Sequence, residues 1–262
     1  MNDSPLQVRM EGCVAILTLS APERRNALST EMRHELLTQL RRLGENDEVR
    51  ALVLTGAAGH FCSGGDVSQM AAPGQARDIV MGGRRLEILH DCIRLMVGGP
   101  KPVVAAVEGI AFGAGMSFAM ACDWVVAAED ARFGAAFGKV GLMPDCGLLW
   151  TLPRRVGEAA ARDVLLTARV VGAPQAKTLG MVDEVVEPGQ ALAAAMKKCA
   201  EYSVVAPRSA AAVKAMLARA PTSLNDLLQM EADLQQSLRQ SVDHEEGRRA
   251  FTEKRAPVFI GR

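Results

Sequence analysis

Two clusters of small residues mark where this chain could do chemistry. Ser63-Gly64-Gly65-Asp66 closes the stretch HFCSGGD behind the apolar run ALVLTG at 51–56. Gly113-Ala114-Gly115 follows the apolar run PVVAAVEG at 102–109. Each reads as a strand leading into a helix. The first N–H groups of a helix have no partner inside it and carry partial positive charge. Two such groups aimed at one point would hold an oxygen on which negative charge develops. Small side chains are needed because the ligand must come within about 3 Å of the backbone. A glycine pair after a strand is also an ordinary turn with positive φ, and that alternative stays open at this level. Cys62 lies beside the first cluster but has no histidine partner in its motif, which argues against a nucleophile. Pro144-Asp145 before CGLLWTL reads as a helix start with Asp145 as N-cap. His90 in LEILHDCIRL reads as a structural histidine, His60 as structural or close to a ligand, and His34 and His244 as surface residues.

The elements that must position these residues come from a chain of 262 residues, 49% hydrophobic, enough for one large domain or one domain with an appendage. Lys plus Arg number 30 and Asp plus Glu number 30, so the charge is balanced and no nucleic-acid partner or basic membrane surface is expected. Aromatics at 4% give no base-stacking platform. The six cysteines, at 13, 62, 92, 122, 146 and 199, form no CxxC pair, so no metal knuckle or redox pair is expected. MNDSPLQVRM contains no apolar leader segment, and no run approaches the roughly 18 apolar residues of a membrane span. Free thiols in a cytoplasmic protein follow as the expectation.

Residues 7–20 predict two short strands around the Glu11-Gly12 turn. Ser29 predicts the cap of a helix through about Leu43, with Glu31 and Glu35 in its first turns. Strands are predicted at 51–56, 102–109, 124–130 and 182–187. The segment 75–97 predicts a long helix with Ile79, Leu86, Leu89, Ile93 and Met96 on one side. GAGMSFAMACD at 113–123 predicts a helix buried all round, and 145–168 is predicted helical. From about 189 helix follows helix, with Pro207 and Pro221 at starts. Alternating strands and helices predict an α/β core of parallel strands with crossover helices over 1–195, and an all-helical region over 196–262.

The order RRNALS (24–29), FCSGGD (61–66), KPVVAAVEGIAFGAGMSFAMACD (101–123) and EEGRRAFTEKRAPVF (245–259) resembles the crotonase family, also called the enoyl-CoA hydratase/isomerase superfamily. The resemblance covers nearly the whole chain. It implies a spiral of repeated ββα turns with a C-terminal helical region used in assembly, as a homotrimer or homohexamer. It implies an acyl-CoA thioester as substrate, with coenzyme A as part of that substrate and neither metal nor resident cofactor. The thioester oxygen would accept from the N–H groups of Gly65 and Ala114. Arg24 or Arg25 would meet the CoA phosphates. Ala27 and Ser63 would line the adenine and pantetheine path, while Gly64 and Asp66 complete the binding turn. Phe251 and Lys254 match positions that touch CoA, often that of a neighbouring subunit.

Family hydratases use two glutamates. Their positions are occupied here by Ser117 and Phe137. A serine and a phenylalanine cannot deprotonate water and reprotonate an α-carbon, so simple hydration of enoyl-CoA is disfavoured. FGKVGLMPDCG at 137–147 with LPRRVG resembles the 1,2-epoxyphenylacetyl-CoA isomerase branch, which also shifts the 3-enoyl double bond. That likeness implies Asp145 as the base that moves a proton between C2 and C4. Phe137, Leu142 and Met143 are expected to supply apolar surroundings that raise its pKa. In the aryl-CoA dehalogenase branch a histidine in the place of His90 works with the aspartate. The remaining alternatives are that chemistry, hydration, thioester hydrolysis, or an acyl-CoA-binding protein without catalysis.

Overall fold

The structure is a computed structural model that describes residues 4–66, 76–219 and 223–262, with 76–82 as backbone only. Ile79 and Pro221 therefore lie outside the described side chains and residues respectively. The chain opens with the hairpin β1 (Leu6–Glu11) and β2 (Val14–Leu19), closed at Gly12 with φ 58°. Four strands then add one after another in parallel: β3 (Ala51–Gly56), β4 (Val103–Val107), β6 (Trp124–Ala128) and β9 (Glu184–Val186). The sheet order is β1-β2-β3-β4-β6-β9. A second, three-stranded sheet is made of β5 (Ile110–Phe112), β7 (Arg132–Gly134) and β8 (Val170–Gly172). The two central turns, β4-β5 and β6-β7, each give one strand to the large sheet, one to the small sheet and then a helix. This is a mixed α/β spiral. A lone parallel bridge from Cys62 to Ala111 extends the small sheet by one position.

The strands of the large sheet are continuous apolar runs because both faces are covered. Leu17, Leu52, Leu54, Ala105 and Val107 pack toward α1 (Thr30–Glu45), α2 (Ala76–Gly98) and α3 (Ala114–Ala121). Their alternates Ile16, Val53, Val104, Ala106 and Val126 pack on Ala191, Ala195 and Cys199 of α6 (Ala191–Ser203). Residue 195 thus lies inside a helix that covers the sheet. The Ser29 side chain accepts from Met32 N at 3.2 Å and starts α1 as its sequence indicates. All eight residues of α3 are buried.

The segment 145–168 departs from its expected form. The helix α4 (Leu148–Thr167) begins later, at a Gly147 cap with φ 71°, and its helical path is broken at Gly157. Asp145 does not cap it through its side chain; only its carbonyl accepts, from Leu148 N at 3.2 Å. The reason is the left-handed turn Cys146-Gly147, which places two positive φ angles between Asp145 and the helix. After α5 (Ala173–Leu179) and α6 come α7 (Pro207–Arg219), α8 (Leu224–Arg239) and α9 (Val242–Glu253). Buried Lys214 of α7 ties this region to the core, donating to Met96 O at 2.8 Å and pairing with Asp123. No helix among the described residues is long and apolar enough to cross a membrane. The six cysteines are free thiols, all buried except Cys13.

Candidate functional site

The first cluster is held by Asn26, which is fully buried and adopts φ 57°. Its amide donates to Ala57 O at 2.9 Å and His60 O at 2.6 Å, and its carbonyl accepts from Ala21 N at 3.0 Å. The loop 21–28 is thereby sewn to the loop after β3. Backbone bonds continue the seam: Ser63 N to Arg25 O at 2.9 Å, and Leu28 N to Gly64 O at 2.8 Å. The Ser63 hydroxyl adds a bond to Arg24 O at 2.9 Å. Cys62 N donates to Ile110 O and Phe112 N returns to Cys62 O, so the turn is fixed to β5 as well. Gly64 has φ 106°, and a Cβ there would lie 3.0 Å from Phe112 O and 3.5 Å from Ala114 N. Only glycine suits this place. The same geometry puts the Gly64-Gly65 turn against the first residue of α3. Gly113 turns into that helix at φ 53°, and a Cβ on Gly115 would clash with Cys62 O. Among the described residues neither Gly65 N–H nor Ala114 N–H has a backbone acceptor. The two N–H groups named from the sequence are therefore brought together and left open.

Ser117, one turn into α3, is fully buried, and its hydroxyl donates to Asp145 O at 3.0 Å. The helix that carries Ala114 is thus pinned to the loop that carries Asp145. The Asp145 carboxyl is half-buried, and its Oδ1 is fully buried without a partner among the described residues. Burial pushes its pKa above the usual aspartate value, opposed by the Cys146 thiol and the charges of His90 and Arg33. Phe137 is buried in the short helical turn Ala136–Val140. Leu142 and Met143 are instead exposed at 50% and 69%, so they do not supply the apolar surroundings expected of them. Pro144 ends their stretch, and the chain turns inward only at Asp145 and Cys146. The thiol of Cys62 is pushed up to about 12 by burial, which leaves no thiolate at neutral pH.

Arg24 is not free to meet a phosphate with its whole guanidinium. Its Nη1 donates to buried Asp66 at 2.6 Å and its Nε to Glu23 at 3.1 Å. Asp66 is accordingly an internal counter-ion that anchors the turn. Arg25 is exposed at the rim with φ 50°, and Ala27 is buried beneath it. Phe251 and Lys254 sit elsewhere. Phe251 is 87% exposed and lines a groove of about 1140 Å³ among α7, α8 and α9, whose walls include none of Gly65, Ala114 or Asp145. Lys254 closes α9 with φ 54°. Within one chain the structure does not bring these two to the site. His60 is half-buried, its Nδ1 against Gly109 and without a partner among the described residues, while His34 and His244 are exposed.

Two functional candidates escaped the sequence reading. Asn26 acts through contacts 31 and 34 residues away, which no local pattern announces. Arg33 had a signal: it falls in register with Leu36, Leu37 and Leu40 on the inner face of α1, and all four are buried. A charged residue in an apolar stripe is uncommon and invites a reason.

Against this geometry stand the comparisons. The family model described as Enoyl-CoA hydratase/isomerase matches residues 9–262. The chain belongs to that family. It is 41% identical over 251 residues, 95% of each chain, to a probable enoyl-CoA hydratase of Rhodobacter capsulatus. It is 37% identical over 257 residues, 97% of each chain, to the 1,2-epoxyphenylacetyl-CoA isomerase of Escherichia coli. The crystal structure of an enoyl-CoA hydratase from Polaromonas sp. JS666 superposes with a TM-score of 0.89 at 35% identity, covering 97% of this chain and 99% of that one. The fold is the crotonase fold, and the relatives carry hydratase and isomerase names alike.

Proposed function

We propose that, within the family's acyl-CoA hydratase/isomerase chemistry, this protein is an isomerase that shifts a double bond from the 3-enoyl to the 2-enoyl position. The observation that carries the reading is the Asp145 carboxyl, partly buried with a raised pKa and an unpartnered Oδ1, in a site where Ser117 and Phe137 stand at the hydratase glutamate positions. In this reading Asp145 takes the C2 proton. The C1 carbonyl oxygen becomes the dienolate oxygen and is held by the N–H groups of Gly65 and Ala114. The protonated Asp145 then returns the proton at C4, so atoms and charge balance without water. One base serves both carbons because they lie close together on one face. Opening of an aryl epoxide would use the same enolate. Coenzyme A enters as part of the substrate, and no resident metal or redox group is called for. Arg25 and the outer edge of Arg24 reach the phosphates, with Ala27 and Ser63 along the path. Phe251 and Lys254 contribute from a neighbouring copy in a homotrimer or homohexamer, a role that suits the exposed apolar side chains of α7 to α9. The buried free thiols suit a cytoplasmic protein.

Turnover of 3-enoyl-CoA and 2-enoyl-CoA, followed by absorbance and mass, tests this. Wild type should interconvert the two with no gain of water, and Asp145→Asn should lose about 10²-fold or more while still binding CoA thioesters. Net addition of water would overturn the reading in favour of the hydratase names. Aryl-CoA dehalogenation is the second reading, resting on the resemblance in which a histidine in the place of His90 works with the aspartate. Release of halide from a halobenzoyl-CoA would establish it.

A further inference from the structure

Arg33 is 92% buried at an overall exposure of 8%, yet it has no ion-pair partner among the described residues. Its Nε donates to Leu28 O at 3.0 Å, directly behind the bridge from Leu28 to Gly65. That bond fixes the side chain and leaves the two terminal NH2 groups without an acceptor among the described residues. Burial and the neighbouring charge of Arg85 disfavour the charged form of the guanidinium, while Cys146 and Asp145 in the loop before α4 and Asp66 in the glycine turn lie within electrostatic reach of it. Arg33 is tied through Leu28 to the glycine turn of the candidate site. Asp66 gives its carboxylate to Arg24 at 2.6 Å, and Asp145 stays outside ion-pair distance. Asp145 Oδ1 is also without a partner among the described residues. Arg33 and Asp145 thus each keep unused hydrogen-bonding capacity without pairing with each other.

A guanidinium stays charged at neutral pH, and a buried charge without a counter-ion is costly. A structural arginine this deep would be expected to hold a carboxylate. Its fork fits one in two-pronged fashion. We infer that Arg33 is a specificity residue that receives a carboxylate carried by the acyl group, so that the preferred thioesters are those of dicarboxylic acids. This rests on the acyl-CoA reading above, but its test does not need turnover. A terminal carboxylate on Arg33 leaves Asp145 beside the carbons that exchange the proton.

The probes are saturated mono-CoA thioesters of short linear dicarboxylic acids and their methyl esters at the far end, titrated calorimetrically into the full-length protein. Wild type should bind the acid more tightly than its ester on the order of 10- to 100-fold at the best chain length. In Arg33→Met that ratio should fall to near one, and Arg33→Lys should keep part of it. A ratio near one at every length in wild type, or an unchanged ratio in Arg33→Met, overturns the assignment. If Arg33→Met does not fold, the wild-type ratio and the Arg33→Lys ratio decide. A preference that holds while no 3-enoyl thioester is isomerised would keep Arg33 in its role and sink the isomerase reading. Isomerisation without any preference would do the reverse.

Discussion

The glycine turn with the start of α3, and the helices α7 to α9 with the C-terminal segment, are both rich in buried polar contacts, but they leave opposite things unfinished. In and around the turn, apolar groups are covered and polar ones are open among the described residues: Gly65 N–H, Ala114 N–H, the Arg33 NH2 groups and Asp145 Oδ1. In the C-terminal region the polar groups are closed. Glu246 accepts from Arg249, Arg255 and Val258 N, and Asp243 accepts from Ile260 N and Gly261 N. There the apolar side chains remain open, with Leu217 and Phe251 facing solvent. Open polar groups in a covered setting suit a small ligand with developing charge. Open apolar groups over a satisfied polar frame suit another protein surface. The comparison can be broken from either side.

The largest effect should come from the turn. In Gly64→Ala the new Cβ meets Phe112 O, and φ 106° is strained for any other residue. Gly65 would be displaced from Ala114, and kcat should fall on the order of 10²-fold, the usual cost of one lost oxyanion donor. Steady-state kinetics with a thermal melt as control would check it; full activity would mean that Gly65 is not a donor. Asn26→Ala should act on stability first. It leaves the His60 carbonyl and the buried Ala21 N–H without partners and Ala57 O with only its 3.4 Å bond from His60 N, and should cost on the order of 2 kcal/mol in denaturant unfolding.

The pH dependence sharpens the same side. Asp145 must be ionised to act as a base, and burial raises its pKa. Activity should therefore appear as pH rises through a value above the ordinary aspartate value of about 3.9, and be lost below it. A kcat/KM profile flat down to pH ~4 would show that Asp145 is not the base.

Much of this frame was legible in the chain. Apolar runs bounded by Gly and Pro gave β3 and β4, and Ser29 gave the start of α1, because strand burial and helix capping are decided within a few residues. The two small-residue clusters were legible for the same reason: close backbone approach leaves no room for side chains. What stayed hidden depends on partners far along the chain or on backbone that sequence does not announce. Cys146 in left-handed conformation moved the α4 cap from Asp145 to Gly147 and freed the carboxyl. Ser117 was legible as a missing glutamate, but its bond to Asp145 O joins residues 28 apart. Leu142 and Met143 read as lining by type and are exposed in fact.

On the C-terminal side a smaller effect is expected in acid. Arg255, then Val258 N and Arg249, hold the Glu246 carboxyl well below the usual carboxylate range. A depressed carboxyl contributes stability above its unfolded pKa, and that contribution is lost only as pH falls through the lower folded value. Glu246→Gln should therefore weaken the fold at neutral pH and show less further loss than wild type in strong acid. Circular dichroism across an acid titration reads this. Parallel acid curves would mean that the cluster is not coupled to folding.

The smallest effect should separate the two regions most cleanly. Phe251 touches nothing in the turn of its own chain, so Phe251→Ala should leave kcat unchanged. If a neighbouring copy lends Phe251 to CoA, KM should rise several-fold, in line with about 1 kcal/mol of lost apolar contact. The rise should appear only at protein concentrations where sedimentation shows the assembled form. An unchanged KM in the assembled protein would leave Phe251 to packing between copies alone. A fall in kcat would mean that the two regions are not independent, and that the C-terminal helices help to set the geometry of the turn.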